Sequence, residues 1–176
     1  IAPHVVDTVN PPRLGKRNTE RVMLHAIVKH PTKEEFLSLR WKEQPWRTFI
    51  TGGVEDGEDV VDAGEREIRE ETGFQNLRFI NKLPFLINAE FYAAHKDVNR
   101  SVQANILLFQ LKDLTRHEVS PEETSRHEAE WTPMSEMKNL SPVSELPYIL
   151  DWFAHGDHAY VGEGRLINSG ELSGTE

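Results

Sequence analysis

Residues 55 to 71 hold nine acids: Glu55, Asp56, Glu58, Asp59, Asp62, Glu65, Glu67, Glu70 and Glu71. Only two bases, Arg66 and Arg69, stand among them, so this segment carries −7 of the chain's −9 net charge. A run of charge is most often a solvated helix face, and spacing decides whether it is more. Glu58 to Thr72 reads as a helix, with Val61, Gly64 or Glu65, and Ile68 on one stripe and Gly73 as its C′ residue. On that helix Glu67, Glu70 and Glu71 are three and four residues apart, which sets their β-carbons about 5–6 Å from one another. Like charges at that spacing destabilise a helix by about a few tenths of a kcal/mol per pair. A hard divalent cation removes the repulsion, because Mg²⁺ prefers carboxylate oxygens and keeps waters and phosphates in its shell. Arg66 adds a planar fork of donors that orients carboxylates. Upstream, Gly52 and Gly53 let a backbone carbonyl or amide approach a metal or phosphate without an intervening side chain.

The rest of the chain supplies a scaffold. Residues 1 to 18 contain three prolines and no usable period, and read as a flank or linker. The chain opens on Ile rather than Met, and reads as a processed or excised piece. Arg21 to Lys29 and Glu35 to Trp41 read as strands, Arg47 to Thr51 as a short third strand, and Gln75 to Lys82 as a fourth. Phe85 to Ala94 and Ser101 to Leu111 form a hairpin across a polar loop. Lys112 to Glu130 is polar and acidic and reads as a loop over the site. Ser135 to Lys138 adds a helical turn. Leu146 to Ala154 forms the last helix, with Leu146, Ile149, Leu150 and Phe153 inward and Gly156 ending it. Strands and helices in this order imply a mixed sheet between helices.

Composition narrows the chemistry. The 176 residues suit one domain with some tens to spare. No cysteine is present, which excludes disulfides, thiolate catalysis and cysteine-based zinc sites, and favours a cytoplasmic setting. No run reaches the roughly 18 apolar residues of a membrane span. The negative balance opposes nucleic-acid binding by a basic face, although Arg13, Lys16, Arg17 and Arg21 form a local patch. The eight histidines, among them His117, His127, His155 and His158, fit no zinc spacing and read as surface or interface residues. Trp41, Trp46 and Trp131 read as core or rim packing before base stacking.

The text GGVEDGEDVVDAGEREIREETGF, Gly52 to Phe74, resembles a Nudix box. Its fixed positions fall on Gly52, Glu58, Arg66, Glu67, Ile68, Glu70, Glu71, Gly73 and Phe74, where an aliphatic residue is usual last. At ordinary residue frequencies the seven identities arise by chance on the order of once in 10⁹ starting positions. Thr51 stands where a further glycine is common, which leaves the box intact. The resemblance runs from about Thr19 to Ala154, making residues 19–154 the expected Nudix domain.

It implies a Nudix-type α/β/α sandwich with a mixed β-sheet, and Mg²⁺-dependent (or Mn²⁺-dependent) hydrolysis of a nucleoside diphosphate linked to a moiety X. It also implies that Glu67, Glu70 and Glu71 are metal ligands, that Arg66 holds the carboxylates and that Glu58 assists. The substrate is then a nucleotide derivative near Gly52 and Gly53. A further base outside the box is expected among Glu122, Glu123 and Glu128.

The ends of the chain differ in kind. His158 to Gly174, HAYVGEGRLINSGELSG, resembles a stretch of the editing domain of bacterial-type leucyl-tRNA synthetases, and IAPHVV is compatible with the strand before it. The implied setting is a Nudix-like insert, with residues 155–176 as flank, and a structural or tRNA-contacting role is the alternative to catalysis. That editing domain's own substrate motifs are absent from this sequence.

Overall fold

A computed structural model describes residues 3–161 and 165–166, with side chains described through Asp157. In chain order the elements are β1 (His4–Val6), β2 (Asn18–Lys29), β3 (Glu35–Trp41), β4 (Arg47–Thr48), β5 (Ile50–Gly53) and α1 (Val60–Thr72). Then come β6 (Leu77–Lys82), β7 (Ile87–Ala93), β8 (Val98–Leu111), α2 (Pro121–Arg126), β9 (His127–Pro133) and α3 (Leu146–His155). The fold is mixed α/β with a mixed sheet: β1 pairs β7 in parallel, while β2–β5, β3–β9, β6–β8 and β7–β8 are antiparallel. The chain divides into two compact units.

The unit formed by Met23–Lys82 and Ile106–Val143 contains the whole acidic segment. Strand β3 is its organiser, pairing with β4 through Leu39 and Arg40, and with β9 from Glu35↔Pro133 to Trp41↔His127. Strand β5 lies on β2, with Leu24 opposite Gly52 and Met23 opposite Gly53. The core gathers Leu24, Ala26 and Val28 of β2, Leu37 and Leu39 of β3, Ile50 of β5, Ala63 and Ile68 of α1, and Leu107, Phe109 and Leu111 of β8.

Helix α1 begins two residues later than the sequence pattern implies, because Asp59 caps it. Its Oδ1 accepts hydrogen bonds from the amides of Val61 (2.9 Å) and Asp62 (3.1 Å), satisfying two of the donors that a helix start leaves free. The helix ends at Gly73, whose φ of 80° is open to glycine at little cost. A β-carbon at Gly73 would also run into the carbonyl of His117, whose amide donates to the Gly73 carbonyl (2.7 Å). Burying Ile68 contributes about 1.5–3 kcal/mol. That outweighs the few tenths per pair of repulsion among the glutamates, so tertiary packing holds the acidic face together.

In the other unit, drawn from residues 1–22, 83–105 and 144–176, β7 and β8 form the expected hairpin. Its turn is tighter than expected, with Asp97 at φ 52° and held by the Tyr92 hydroxyl (2.6 Å) and by Lys16 (2.9 Å). The segment read only as a flank contributes β1, whose His4 to Val6 pair with Asn88 to Glu90. Three residues are too few for a period to show. Helix α3 buries Leu146, Ile149, Asp151 and Trp152 rather than Leu150 and Phe153. The inward stripe is thus turned from the expected one. Trp152 and Phe153 both have the bulk to go inside, and Trp152 also gains a hydrogen bond from its Nε1 to Asp157 (2.8 Å).

Candidate metal and diphosphate site

The fork of Arg66 organises the acids. Its Nε and Nη2 donate to the two oxygens of Glu58 (3.1 and 3.2 Å), and its Nη1 donates to Glu67 Oε1 (2.8 Å). The same Nη1 lies 3.5 Å from Glu70 Oε2, and Nη2 reaches the Gly53 carbonyl at 3.4 Å. One guanidinium therefore ties the loop before the helix to two of its acids. A lysine, with a single charged nitrogen, has no such fork. Glu58 is held below the usual carboxylate range, first by its bond from Arg66 and then by its contact with the Glu55 amide.

Gly52 sits against this group in a way the sequence does not reveal. A β-carbon there would collide with the carboxyl group of Glu67. The glycine thus makes room for a glutamate as much as for a ligand. Because the obstacle is the end of a flexible side chain, Gly52→Ala is expected to push Glu67 aside and leave the fold intact. We expect at least about a tenfold loss of Mn²⁺ affinity, the scale of a disturbed metal ligand, with the melting temperature little changed. Unaltered Mn²⁺ titration in this variant would show that Glu67 is not held for a cation.

The three box acids differ in setting. The Glu70 side chain is 55% exposed and that of Glu67 13%. Burial raises the proton affinity of Glu67 above the usual range, opposed by Arg66. For Glu71 the rise is large: burial is the main cause, and the charges of Glu67, Glu123 and Glu70 add to it. Its residue surface is partly exposed, yet Oε2 is shut away and has no hydrogen-bond partner.

The stretch read as a loop over the site is ordered into α2 and β9. Ser120 caps α2 through the Glu123 amide (3.3 Å), and Pro121 occupies the first helical position, where its missing donor costs nothing. Of the three acids expected to include a further base, the geometry separates one. Glu122 pairs with Arg126 (2.7 Å), and Glu128 pairs with Arg40 (2.6 Å) on the opposite face of β9 from His127. Glu123 alone joins Glu71: a Glu71 oxygen, a Glu123 oxygen and a ring nitrogen of His127 all lie within 4.8 Å of one another.

His127 is not the surface histidine that its polar surroundings suggest, since it is only 3% exposed. As the first residue of β9 it faces inward, and its ring packs edge-on to Trp41 (centroids 4.9 Å apart). Burial, with Arg126 nearby, favours its neutral ring. A polar residue starting a strand after a six-residue helix leaves no period from which to read its direction. The tryptophans behave as packing residues: Trp41 contacts Trp46 and donates to Thr48, and Trp131 lies against Phe74 and His30.

The described residues thus fit a cation by their chemistry. Buried oxygens of Glu71 and Glu123 lack partners, beside a further carboxylate, Glu67, that is raised by burial. The sequence matches the NUDIX domain over residues 20–153. The chain belongs to the NUDIX family.

This bears out the family resemblance carried by Gly52 to Phe74. The chain is 27% identical over 105 residues to the NAD-capped RNA hydrolase NudC of Photobacterium profundum, covering 58% of this chain and 34% of that protein. It therefore spans about a third of that relative's length. Two solved structures share its fold. The Ap4A hydrolase of C. elegans is 20% identical with a TM-score of 0.54, covering 77% of this chain and 96% of that one. The dihydroneopterin triphosphate pyrophosphohydrolase of E. coli is 16% identical with a TM-score of 0.52, covering 72% and 90%. No described helix is long and apolar enough to cross a membrane.

Proposed function

We propose that this NUDIX domain hydrolyses the diphosphate linkage of a nucleoside diphosphate joined to a second group, using Mg²⁺ or Mn²⁺ held by Glu67, Glu70 and Glu71. The observation that carries the reading is the crowding of these acids on one face of α1, with an unpartnered buried oxygen on Glu71. A purely structural helix gains nothing from such crowding. When bound, the cation neutralises the diphosphate and lowers the pKa of an attacking water.

The protein's own groups then have distinct tasks. Arg66 keeps Glu67 aligned and, through Glu58 and Gly53, fixes the loop that carries Gly52. One carboxylate of the box, or Glu123 outside it, takes the water's proton. The three relatives named above act, by their names, on a NAD-capped RNA, on Ap4A and on dihydroneopterin triphosphate, which supports a nucleotide-like substrate class. The cysteine-free composition supports a cytoplasmic setting.

The test is turnover of purified protein on nucleotide sugars, dinucleoside polyphosphates, ADP-ribose and oxidised nucleotides, with Mg²⁺ or Mn²⁺. Metal-stimulated hydrolysis of at least one class is expected. No stimulated turnover across the panel would overturn the enzyme reading.

The second reading is a non-catalytic insert of a leucyl-tRNA synthetase with a tRNA-contacting role. It rests on the sequence His158 to Gly174, most of which lies outside the described residues. Salt-dependent tRNA binding, weakened by neutralising Arg13, Lys16, Arg17 and Arg21, would favour it over the hydrolase.

A further inference from the structure

We propose that His127 is a direct nitrogen ligand of the bound cation, forming with Glu71 and Glu123 a mixed nitrogen–oxygen site that selects Mn²⁺ over Mg²⁺. The inference rests on the reading of the acidic face as a cation site and specifies its ligands.

Three observations converge. The first is geometric. Ligands about 2.1 Å from a common ion stand at most about 4.2 Å apart, and the three donor atoms already lie within 4.8 Å of one another. Small side-chain shifts close the remainder.

The second is the hydrogen-bond inventory. Glu71 Oε2 and Glu123 Oε2 are buried without a hydrogen-bond partner, and so is Nδ1 of His127. The Nε2 of His127 lies 3.4 Å from Glu123 Oε2, in an orientation that makes no hydrogen bond. Buried polar atoms are almost always partnered, so two orphaned carboxylate oxygens beside a buried imidazole mark a site completed by something other than protein.

The third is the backbone. The His127 amide donates to the Glu123 carbonyl where α2 gives way to β9. This places the two side chains one turn apart on one side of a short, rigid junction. The pairing of His127 with Trp41 in the β3–β9 ladder then fixes that junction.

The dull alternative is that His127 merely packs against Trp41. A phenylalanine would pack as well without bringing a buried imidazole up to two carboxylates. The metal preference follows from ligand type. Mg²⁺ is hard and is held through carboxylates, water and phosphate, whereas imidazole favours first-row transition ions. His127 thus adds a nitrogen donor to the carboxylates of the acidic face.

The experiment uses the full chain with Mn²⁺ and Mg²⁺ as probes and does not depend on turnover. Pulsed electron paramagnetic resonance of the Mn²⁺-loaded protein is expected to show coupling to an imidazole nitrogen. His127→Phe, which keeps the contact with Trp41, is expected to abolish that coupling. It should weaken Mn²⁺ at least tenfold and leave Mg²⁺ within about threefold. His127→Gln serves as a second variant if the first is poorly folded.

A wild-type Mn²⁺ site weakened by Glu67→Gln but lacking nitrogen coupling would overturn the role of His127 and leave the carboxylate site standing. Absence of any Mn²⁺ or Mg²⁺ binding would overturn both.

Discussion

Glu70→Gln is expected to lower kcat at least about a hundredfold, the scale of a lost metal ligand or proton acceptor, without unfolding the protein. The position of the side chain separates these two effects. Glu70 is more than half exposed there, and it approaches Arg66 Nη1 only to 3.5 Å. An exposed ion pair of that kind is worth about 1 kcal/mol at most. Removing the charge also relieves repulsion with Glu67 and Glu71. Stability should therefore be unchanged within about 1 kcal/mol, and any large loss of rate belongs to chemistry. The measurement is kcat at saturating substrate and metal, with thermal unfolding as the control. Near-normal turnover would remove Glu70 from the machinery.

Glu71→Gln should do the opposite to stability: the cation-free protein should melt higher than wild type at neutral pH. The cause is that burial, with the charges of Glu67, Glu123 and Glu70, raises the proton affinity of Glu71 in the folded state well above its unfolded value. Between those two values the folded state binds the extra proton. Stability therefore falls as pH rises from about 4.3, the unfolded reference, up to the folded pKa, and the penalty is complete above it. Each unit of separation corresponds to about 1.4 kcal/mol, and each kcal/mol to about 2–4 °C in a chain of this size.

A rise of about 3 °C or more is expected for Glu71→Gln in a metal chelator at about pH 7.5, shrinking toward about pH 4.5. Adding Mn²⁺ should reverse the order. Wild type gains stability through binding, about 2.7 kcal/mol at a hundred times Kd, while the variant gains little. Equal melting temperatures at both pH values in chelator would contradict the buried-carboxylate account.

Both variants touch residues whose grouping is legible in the amino-acid sequence itself. Helical spacing is a local property, so Glu67, Glu70 and Glu71 declare a shared face at once, and Gly73 declares the helix end. Asp59 shifts the start by two residues, because its capping bonds compete with continuing the helix backward through Glu58. The strands around the site are also legible, except that β9 begins inside the stretch read as a loop and Arg47 to Thr51 is two short strands, β4 on β3 and β5 on β2. A change of partner within five residues leaves no mark on a two-residue alternation.

Determined by the sequence alone, then, are the family, the acidic face of α1 and the fork of Arg66 beside it, all set by short spacings along one chain segment. Tertiary structure alone decided that Gly52 lies against Glu67, that Glu123 rather than Glu122 or Glu128 turns toward Glu71, and that His127 is buried with them. Glu71 and Glu123 stand far apart in sequence and meet through α2 and the β3–β9 register. No periodicity spans such a distance. Contacts of that kind are selected by which surfaces can bury together, and that is decided only when the whole core closes.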